Sequence, residues 1–230
     1  NVDTPLTLPE ATFHHAVQVL RLGVGEPLIL FNGTEPVDYY ATLTEITRRS
    51  ANAHIMRAEP VERESTRHIS LALALIKPDK MDFALQKAVE LGVTQLQPLF
   101  TERSVIRVIK DKQDKKLQHW QGILISACEQ SGRTQLPLLA EPISLSDYIT
   151  QQSEHTRIML APGVYPRLGT QTLPSGIELI IGPEGGFSDD EVELCQQANI
   201  LMASLGPRIL RAETACISAL TLIQHHYGDL

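Results

Sequence analysis

Twice in the last third of the chain a short apolar run stops in a Gly/Pro cluster and gives way at once to a helix-forming stretch. Leu179-Ile180-Ile181 breaks at Gly182-Pro183-Glu184-Gly185-Gly186-Phe187 and is followed by Ser188-Asp189-Asp190-Glu191. Leu201-Met202-Ala203-Ser204-Leu205 breaks at Gly206-Pro207 and is followed by Arg208-Ile209-Leu210-Arg211-Ala212-Glu213-Thr214. Each reads as buried strand, sharp loop, helix. Ser188, three residues before Glu191, forms the reciprocal capping pattern that fixes a helix start against the loop before it. Strand-loop-helix units in series imply a mostly parallel sheet flanked by helices. Ligands of such sheets sit beyond the carboxyl ends of the strands, so these two loops are the expected site.

The preceding stretch carries the same grammar. Ile69 to Ile76 is almost unbroken in apolar character and suits a strand buried on both faces. Lys77-Pro78-Asp79-Lys80 ends it, and Met81, Ala84, Leu85, Ala88 and Leu91 form a helical stripe closed by Gly92, with Asp79 as the expected N-cap. Leu96 to Phe100 is the next strand, marked by Pro98 as an edge or an irregular one. Lys112 to Cys128 reads as a helix, and Arg157 to Leu160 as a strand running into Ala161-Pro162-Gly163.

The first sixty or so residues have a different texture. Phe13, Ala16, Val17 and Leu20 give a short helix between Pro9 and Leu22. Brief β-rich runs come next at Leu28–Phe31, Val37–Ile46 and Ser50–Ala58, where Ala51, Ala53 and Ile55 alternate with polar or flexible neighbours. Asn32-Gly33 reads as a tight hairpin turn, and the sum as a small antiparallel sheet or barrel. Pro60 to Arg67 is charged and aperiodic, a linker. The expected organisation is a domain at residues 1–66 and an α/β domain at residues 67–230.

Several chemistries are excluded. No apolar run approaches a membrane span, which favours a soluble cytoplasmic protein. Cys128, Cys195 and Cys216 are scattered and form no C-x-x-C pair, so they read as buried thiols. Neighbouring histidines such as His14-His15 and His225-His226 point apart on a helix and make poor co-ligands, so no metal site is expected. The Gly-rich loop lacks a Walker Lys-Ser/Thr, Gly23-Val24-Gly25 precedes a strand where a dinucleotide fingerprint would come after one, and there is no G-x-S-x-G elbow. A net charge of −7 argues against nonspecific nucleic-acid binding but leaves room for a local basic groove. Arg208, Arg211 and Glu213, directly after a strand end, are the charged residues best placed for chemistry. Arg103, Arg107, Lys110, Lys112, Lys115 and Lys116 form a second basic group, mixed with acids as on a solvated face. Glu129-Gln130-Ser131-Gly132-Arg133 either caps a helix or lines a cleft.

Taken together, Gly182–Gly186, Leu205–Ala215, Val19-Leu20-Arg21, Lys80–Gly92 with its Gln86-Lys87-Ala88-Val89-Glu90-Leu91-Gly92 core, and Ala127–Arg133 resemble the bacterial ribosomal RNA small-subunit methyltransferase E family of the SPOUT superfamily. The resemblance spans nearly the whole chain. It implies a PUA-like β-barrel at 1–66 that binds RNA, followed at 67–230 by a SPOUT α/β domain with a deep trefoil knot. It also implies S-adenosylmethionine as cofactor, a homodimer, and methylation of N3 of a uridine in 16S rRNA of the small ribosomal subunit. A short basic segment usual at the start of the family has no counterpart here.

By the same resemblance the cofactor would be held by Leu160, Ala161 and Pro162, by Ile181, Gly182, Pro183, Glu184, Gly185 and Gly186, and by Leu205, Gly206, Ile209, Leu210, Thr214 and Ala215. Arg208 and Arg211 would position RNA or developing charge, with Glu129 or Glu213 as base; Arg21, Lys80, Arg103 and Arg133 would contact RNA. A tRNA ribose 2′-O-methyltransferase of the same superfamily and a noncatalytic RNA-binding protein of the same fold are the alternative readings.

Overall fold

A computed structural model describes residues 2–104, 113–170 and 172–230. Arg107, Lys110 and Lys112 of the second basic group lie outside them. The chain divides into two compact units, residues 1–64 with 133–135, and residues 65–132 with 136–230.

The first unit is a four-stranded antiparallel sheet in the order β1-β4-β3-β2, made by β1 (Thr4–Thr7), β2 (Pro27–Leu30), β3 (Val37–Ile46) and β4 (Ala51–Pro60). The alternation read in Ser50–Ala58 does place Ala51, Ala53 and Ile55 inward, against Ala41 and Leu43 of β3. The short helix α1 (Glu10–Phe13), continued by a π-helical turn over His14–Val19, lays Phe13 and Ala16 on the same core. Asn32-Gly33 does not make the expected two-residue turn. Residues 31–36 separate the strands, because the Asn32 side chain organises a wider loop: its Oδ1 accepts from the Thr34 amide at 2.9 Å and the Glu35 amide at 3.0 Å. Asp38 is buried, and Arg63 neutralises it at 2.8 Å.

Residues 133–135 join this unit through the Glu64 carboxylate and through Gln135, which bridges to Gly33 and donates from Nε2 to Thr34 O at 3.1 Å. Glu64 accepts from Arg133 Nε at 2.8 Å and from the amides of Thr134 and Gln135 at 2.9 and 3.1 Å.

The second unit is a seven-stranded sheet in the order β11-β9-β10-β5-β6-β7, with β8 also on β6. Its strands are β5 (His68–Ala74), β6 (Gln95–Phe100), β7 (Leu138–Leu139), β8 (Ile143–Ser144), β9 (Thr156–Leu160), β10 (Gly176–Ile181) and β11 (Leu201–Ala203). Every pairing among them is parallel, as the apolar runs require. Helices α4 (Leu145–Thr150) and α5 (Asp189–Gln197) cover one face, where Leu145, Tyr148 and Cys195 meet Ala72, Leu99, Met159 and Ile180. On the other side α6 (Ala212–Tyr227) lies against β10, and α2 (Pro78–Glu90) packs on both α6 and α3 (Gln113–Ser131).

Helix α2 buries Met81, Ala84, Leu85 and Ala88 as the stripe predicts, but its N-cap is Lys77 and not Asp79. Pro78 decides this: at the first helical position its missing N–H costs nothing and its fixed φ suits the helix. Pro98 likewise finds a place where no donor is needed. Gln95 and Leu96 pair with β7, Leu99 and Phe100 with β8, and Pro98 falls between the two. Gln97 fills the gap by donating to the carbonyl of Glu141 at 2.7 Å. All three cysteines are buried thiols, and burial pushes Cys195 up to about 11. No helix among the described residues is long and apolar enough to cross a membrane.

At the amino ends of the strands His68 and His155 stack with centroids 4.1 Å apart, and His68 Nδ1 lies 3.1 Å from Thr94 Oγ1. Burial first, and then the neighbouring His155, hold His68 below its ordinary 6.5, while the charge of Glu178 pulls weakly the other way. The folded state therefore resists protonation that the unfolded chain accepts below about pH 6.5. Stability contributed by neutral His68 is complete above that pH and is lost as pH falls below it. Urea denaturation between pH 7.5 and 5 should show this decline, and His68→Gln should flatten it.

Candidate active site

Strands β11, β9 and β10 are neighbours and run the same way, so their carboxyl ends deliver three loops to one edge of the sheet. The first loop is zipped onto the third. The Ala161 amide donates to Ala203 O at 3.0 Å, the Ser204 amide to Pro166 O at 2.9 Å, and the Leu168 amide to Ser204 O at 3.0 Å, while Ser204 Oγ donates to Tyr165 O at 3.0 Å.

The second loop, Gly182–Ser188, is held at both ends. Its turn closes with the Gly186 amide on Pro183 O at 2.9 Å. The expected capping box forms: Ser188 Oγ accepts from the Glu191 amide at 3.3 Å, and Glu191 Oε2 accepts from the Ser188 amide at 2.9 Å. The other Glu191 oxygen accepts from the Glu102 amide at 2.8 Å, and Glu184 Oε1 accepts from the Lys77 amide, at the start of α2, at 3.2 Å. The loop after β10 is thus fastened to the loops after β5 and β6.

Between these loops lies a cleft of about 350 Å³. Its lining includes Leu160, Ala161 and Pro162 from the first loop, Ile181 to Gly186 from the second, and Leu205, Gly206, Ile209, Leu210 and Ala215 from the third and the start of α6. Of the residues expected to hold a cofactor, Thr214 stands apart, exposed on α6. Arg208 lines the cleft. Arg211 is the exposed N-cap residue of α6, and Glu213 is buried in that helix's first turn, between the lining residues Ala212 and Ala215. Glu129 is exposed on α3, away from the lining.

The residues expected to meet RNA have different surroundings. Arg21 sits exposed at φ 59° in the first unit, and Lys80 pairs with Asp79 on α2 at 3.4 Å. Arg133 is only 5% exposed and bound to Glu64, so its guanidinium serves an internal ion pair and not an outward RNA contact. Arg103 enters the cleft lining instead.

Five lining residues are not among the individually expected site residues: Tyr165, Phe187, Asp189, Val192 and Ala212. Phe187 had a signal, since it is the first apolar residue after the glycines and its ring covers Gly182. A Cβ built on Gly182 would meet that ring at 3.0 Å. Tyr165 had none, because its position depends on the zipping of the first loop to the third.

Comparison with known proteins decides the family. The RNA methyltransferase domain family matches residues 63–224, and the RNA methyltransferase PUA domain family matches residues 8–56. The ribosomal RNA small subunit methyltransferase E of Buchnera aphidicola subsp. Schizaphis graminum is 34% identical over 100% of this chain and 94% of its own length. The chain belongs to the ribosomal RNA small subunit methyltransferase E family. The Rickettsia conorii member is 33% identical over 92% of this chain and 85% of its own. Two solved structures agree. A Legionella pneumophila methyltransferase in complex with bound S-adenosylmethionine is 39% identical, with a TM-score of 0.96 over 100% of this chain and 95% of that one. The Neisseria gonorrhoeae ribosomal RNA small subunit methyltransferase E, bound to S-adenosyl methionine, is 34% identical, with a TM-score of 0.92 over 100% and 95%.

In this family member the loop geometry has a measurable cost of disturbance. Gly186 adopts φ 68°, with nothing near the Cβ it lacks, so Gly186→Ala isolates the left-handed backbone penalty of about 1 kcal/mol. Ser188→Ala removes the cap and should cost about 1 kcal/mol. Both losses should appear as lower urea midpoints with unchanged slopes.

Proposed function

We propose that the chain is an S-adenosylmethionine-dependent methyltransferase acting on N3 of a uridine in the 16S rRNA of the small ribosomal subunit. The observation that carries this reading is the three-loop cleft, in a chain so close in fold and sequence to a relative crystallised with the cofactor.

The residues present suit that molecule. Leu160, Ile181, Phe187 and Leu210 offer apolar walls for an adenine ring, and the glycine at 182 leaves the room that the Phe187 ring occupies. Backbone groups of Gly182, Gly185, Leu205 and Leu210 would hold adenine and ribose. When bound, S-adenosylmethionine supplies an electrophilic methyl group on a sulfonium. The chain supplies the rest: loops that fix the line of approach, which is where most of the rate of such a displacement arises, and side chains that handle the proton and charge of the uracil.

N3 of uracil must surrender its proton before it can accept a methyl group, so a base is needed, and cations near the ring oxygens stabilise the charge that develops. Arg208 on the cleft wall and Arg211 at the N-cap of α6 take the second role. Glu213 is better situated as base than Glu129, since it lies beside the lining and Glu129 does not. The zipping of residues 161–168 onto 203–204 is the place where a trefoil knot would tighten, and we assign the SPOUT knot to it. Residues 1–66 would carry RNA-binding surface that includes Arg21, residues 67–230 the chemistry with Lys80 toward RNA, and the working form would be a cytoplasmic homodimer.

Incubation of small ribosomal particles and naked rRNA with the enzyme and labelled cofactor, followed by digestion and mass spectrometry, should give N3-methyluridine. A ribose-methylated nucleoside, or no cofactor binding at millimolar concentration in calorimetry, would overturn the reading. Glu213→Gln and Arg211→Ala should each slow single-turnover methylation, the former by on the order of a hundredfold. Unchanged rates in both would remove these residues from the mechanism.

A further inference from the structure

Two peptide units of the second loop are oriented by a side chain from a different strand. Arg103, three residues beyond the end of β6, donates from Nη1 to Gly185 O and to Phe187 O, each at 3.1 Å. The opposite edges of the same two peptide units are also held: the Gly186 amide donates to Pro183 O at 2.9 Å, and the Ser188 amide to Glu191 Oε2 at 2.9 Å. In a trans peptide the carbonyl and the N–H of the next residue point in opposite directions. Each unit is therefore gripped from both sides, by Arg103 on one and by the loop's own turn and capping box on the other.

The arginine stem also contacts the loop. A Cβ built on Gly185 would lie 3.3 Å from Arg103 Cβ and 3.6 Å from its Cδ, so the arginine stem packs directly on the loop backbone. The neighbouring Glu102 amide is bound to Glu191, which fixes the segment that presents the guanidinium. Arg103 thus commits donors to carbonyls of the glycine loop, at the wall of the cleft.

We propose that Arg103 is a positioning residue for the cofactor: it holds the Gly185–Ser188 backbone in the one orientation that accepts S-adenosylmethionine, and it is not an RNA contact. This rests on the cofactor reading above. A guanidinium bridging two carbonyls is a charge-assisted interaction that pre-forms the loop, and pre-formation appears as affinity because binding no longer has to order the backbone.

The test has two parts, so that its failure and a failure of the cofactor reading stay distinct. Without ligand, hydrogen exchange of the Gly186 and Ser188 amides should accelerate in Arg103→Ala, and unchanged exchange overturns the proposal whether or not the protein binds cofactor. With ligand, calorimetry should show Arg103→Ala binding S-adenosylmethionine about tenfold more weakly, the loss expected for a charge-assisted hydrogen bond. Its kcat at saturating cofactor and its KM for rRNA should stay within about twofold of wild type on the same scale. Arg103→Lys, whose ammonium can still meet a loop carbonyl, should recover most of the affinity. A raised KM for rRNA with unchanged cofactor affinity would make Arg103 an RNA contact and overturn the proposal. Wild-type protein that binds no cofactor would overturn the proposed function while leaving the exchange result to judge the role of Arg103 in the loop. Should Arg103→Ala fail to fold, Arg103→Gln carries the same comparisons.

Discussion

A parallel strand ends at the edge of the sheet opposite to the one where its neighbour must begin, so every strand needs a crossover, and every crossover starts at the same edge. In the second unit this one constraint governs the layout of the site. It places the ends of β9, β10 and β11 side by side and forces the Gly/Pro clusters after them to share a small volume. Apolar sequence buries the strands on both faces, which keeps them rigid, so the loops inherit fixed anchor points. The cleft is the space those loops cannot fill.

Rigidity at the anchors would count for little if the loops moved. The hydrogen bonds between 161–168 and 203–204 bind the first loop to the third, and Glu191, Glu184 and Arg103 bind the second to the segments beside it. Almost all of these bonds involve backbone groups. The shape of the cleft is thereby set by peptide geometry more than by side-chain packing. The first unit uses a carboxylate in a comparable way, with Glu64 satisfying one guanidinium and two amides to bring residues 133–135 into its fold.

The range of an interaction along the chain decides whether the sequence reveals it. Strand runs such as Ile69–Ile76, the inward alternation of Ala51, Ala53 and Ile55, and the Ser188–Glu191 cap depend on residues at most a few positions apart, and these were legible. So were the loops that line the cleft, because glycine and proline announce sharp turns locally. Asp79 lost the cap of α2 to the backbone preference of Pro78, an equally local rule that outweighs the side-chain cap. Asn32-Gly33 lost its tight turn to hydrogen bonds that Asn32 makes with Thr34 and Glu35. Arg133 and Arg103 were legible only as cations. Their partners, Glu64 and the carbonyls of residues 185 and 187, lie far away in sequence, and nothing local told an exposed arginine from one turned inward. Helix α4 and the strands β1, β7 and β8 escaped because runs of two to six residues carry too little periodicity to stand out.

The gap at Pro98 bears on how this sheet behaves in a crowded solution. Because the proline splits the outer ladder of β6, that edge is finished by two separate strands of two residues each, and the opposite edge by β11, of three. Among the described residues, a neighbouring chain looking to extend the sheet finds no long row of unpaired donors and acceptors on either side. The seven-stranded sheet, built from some of the most apolar segments in the sequence, thus offers little purchase for edge-on growth along its described outermost strands.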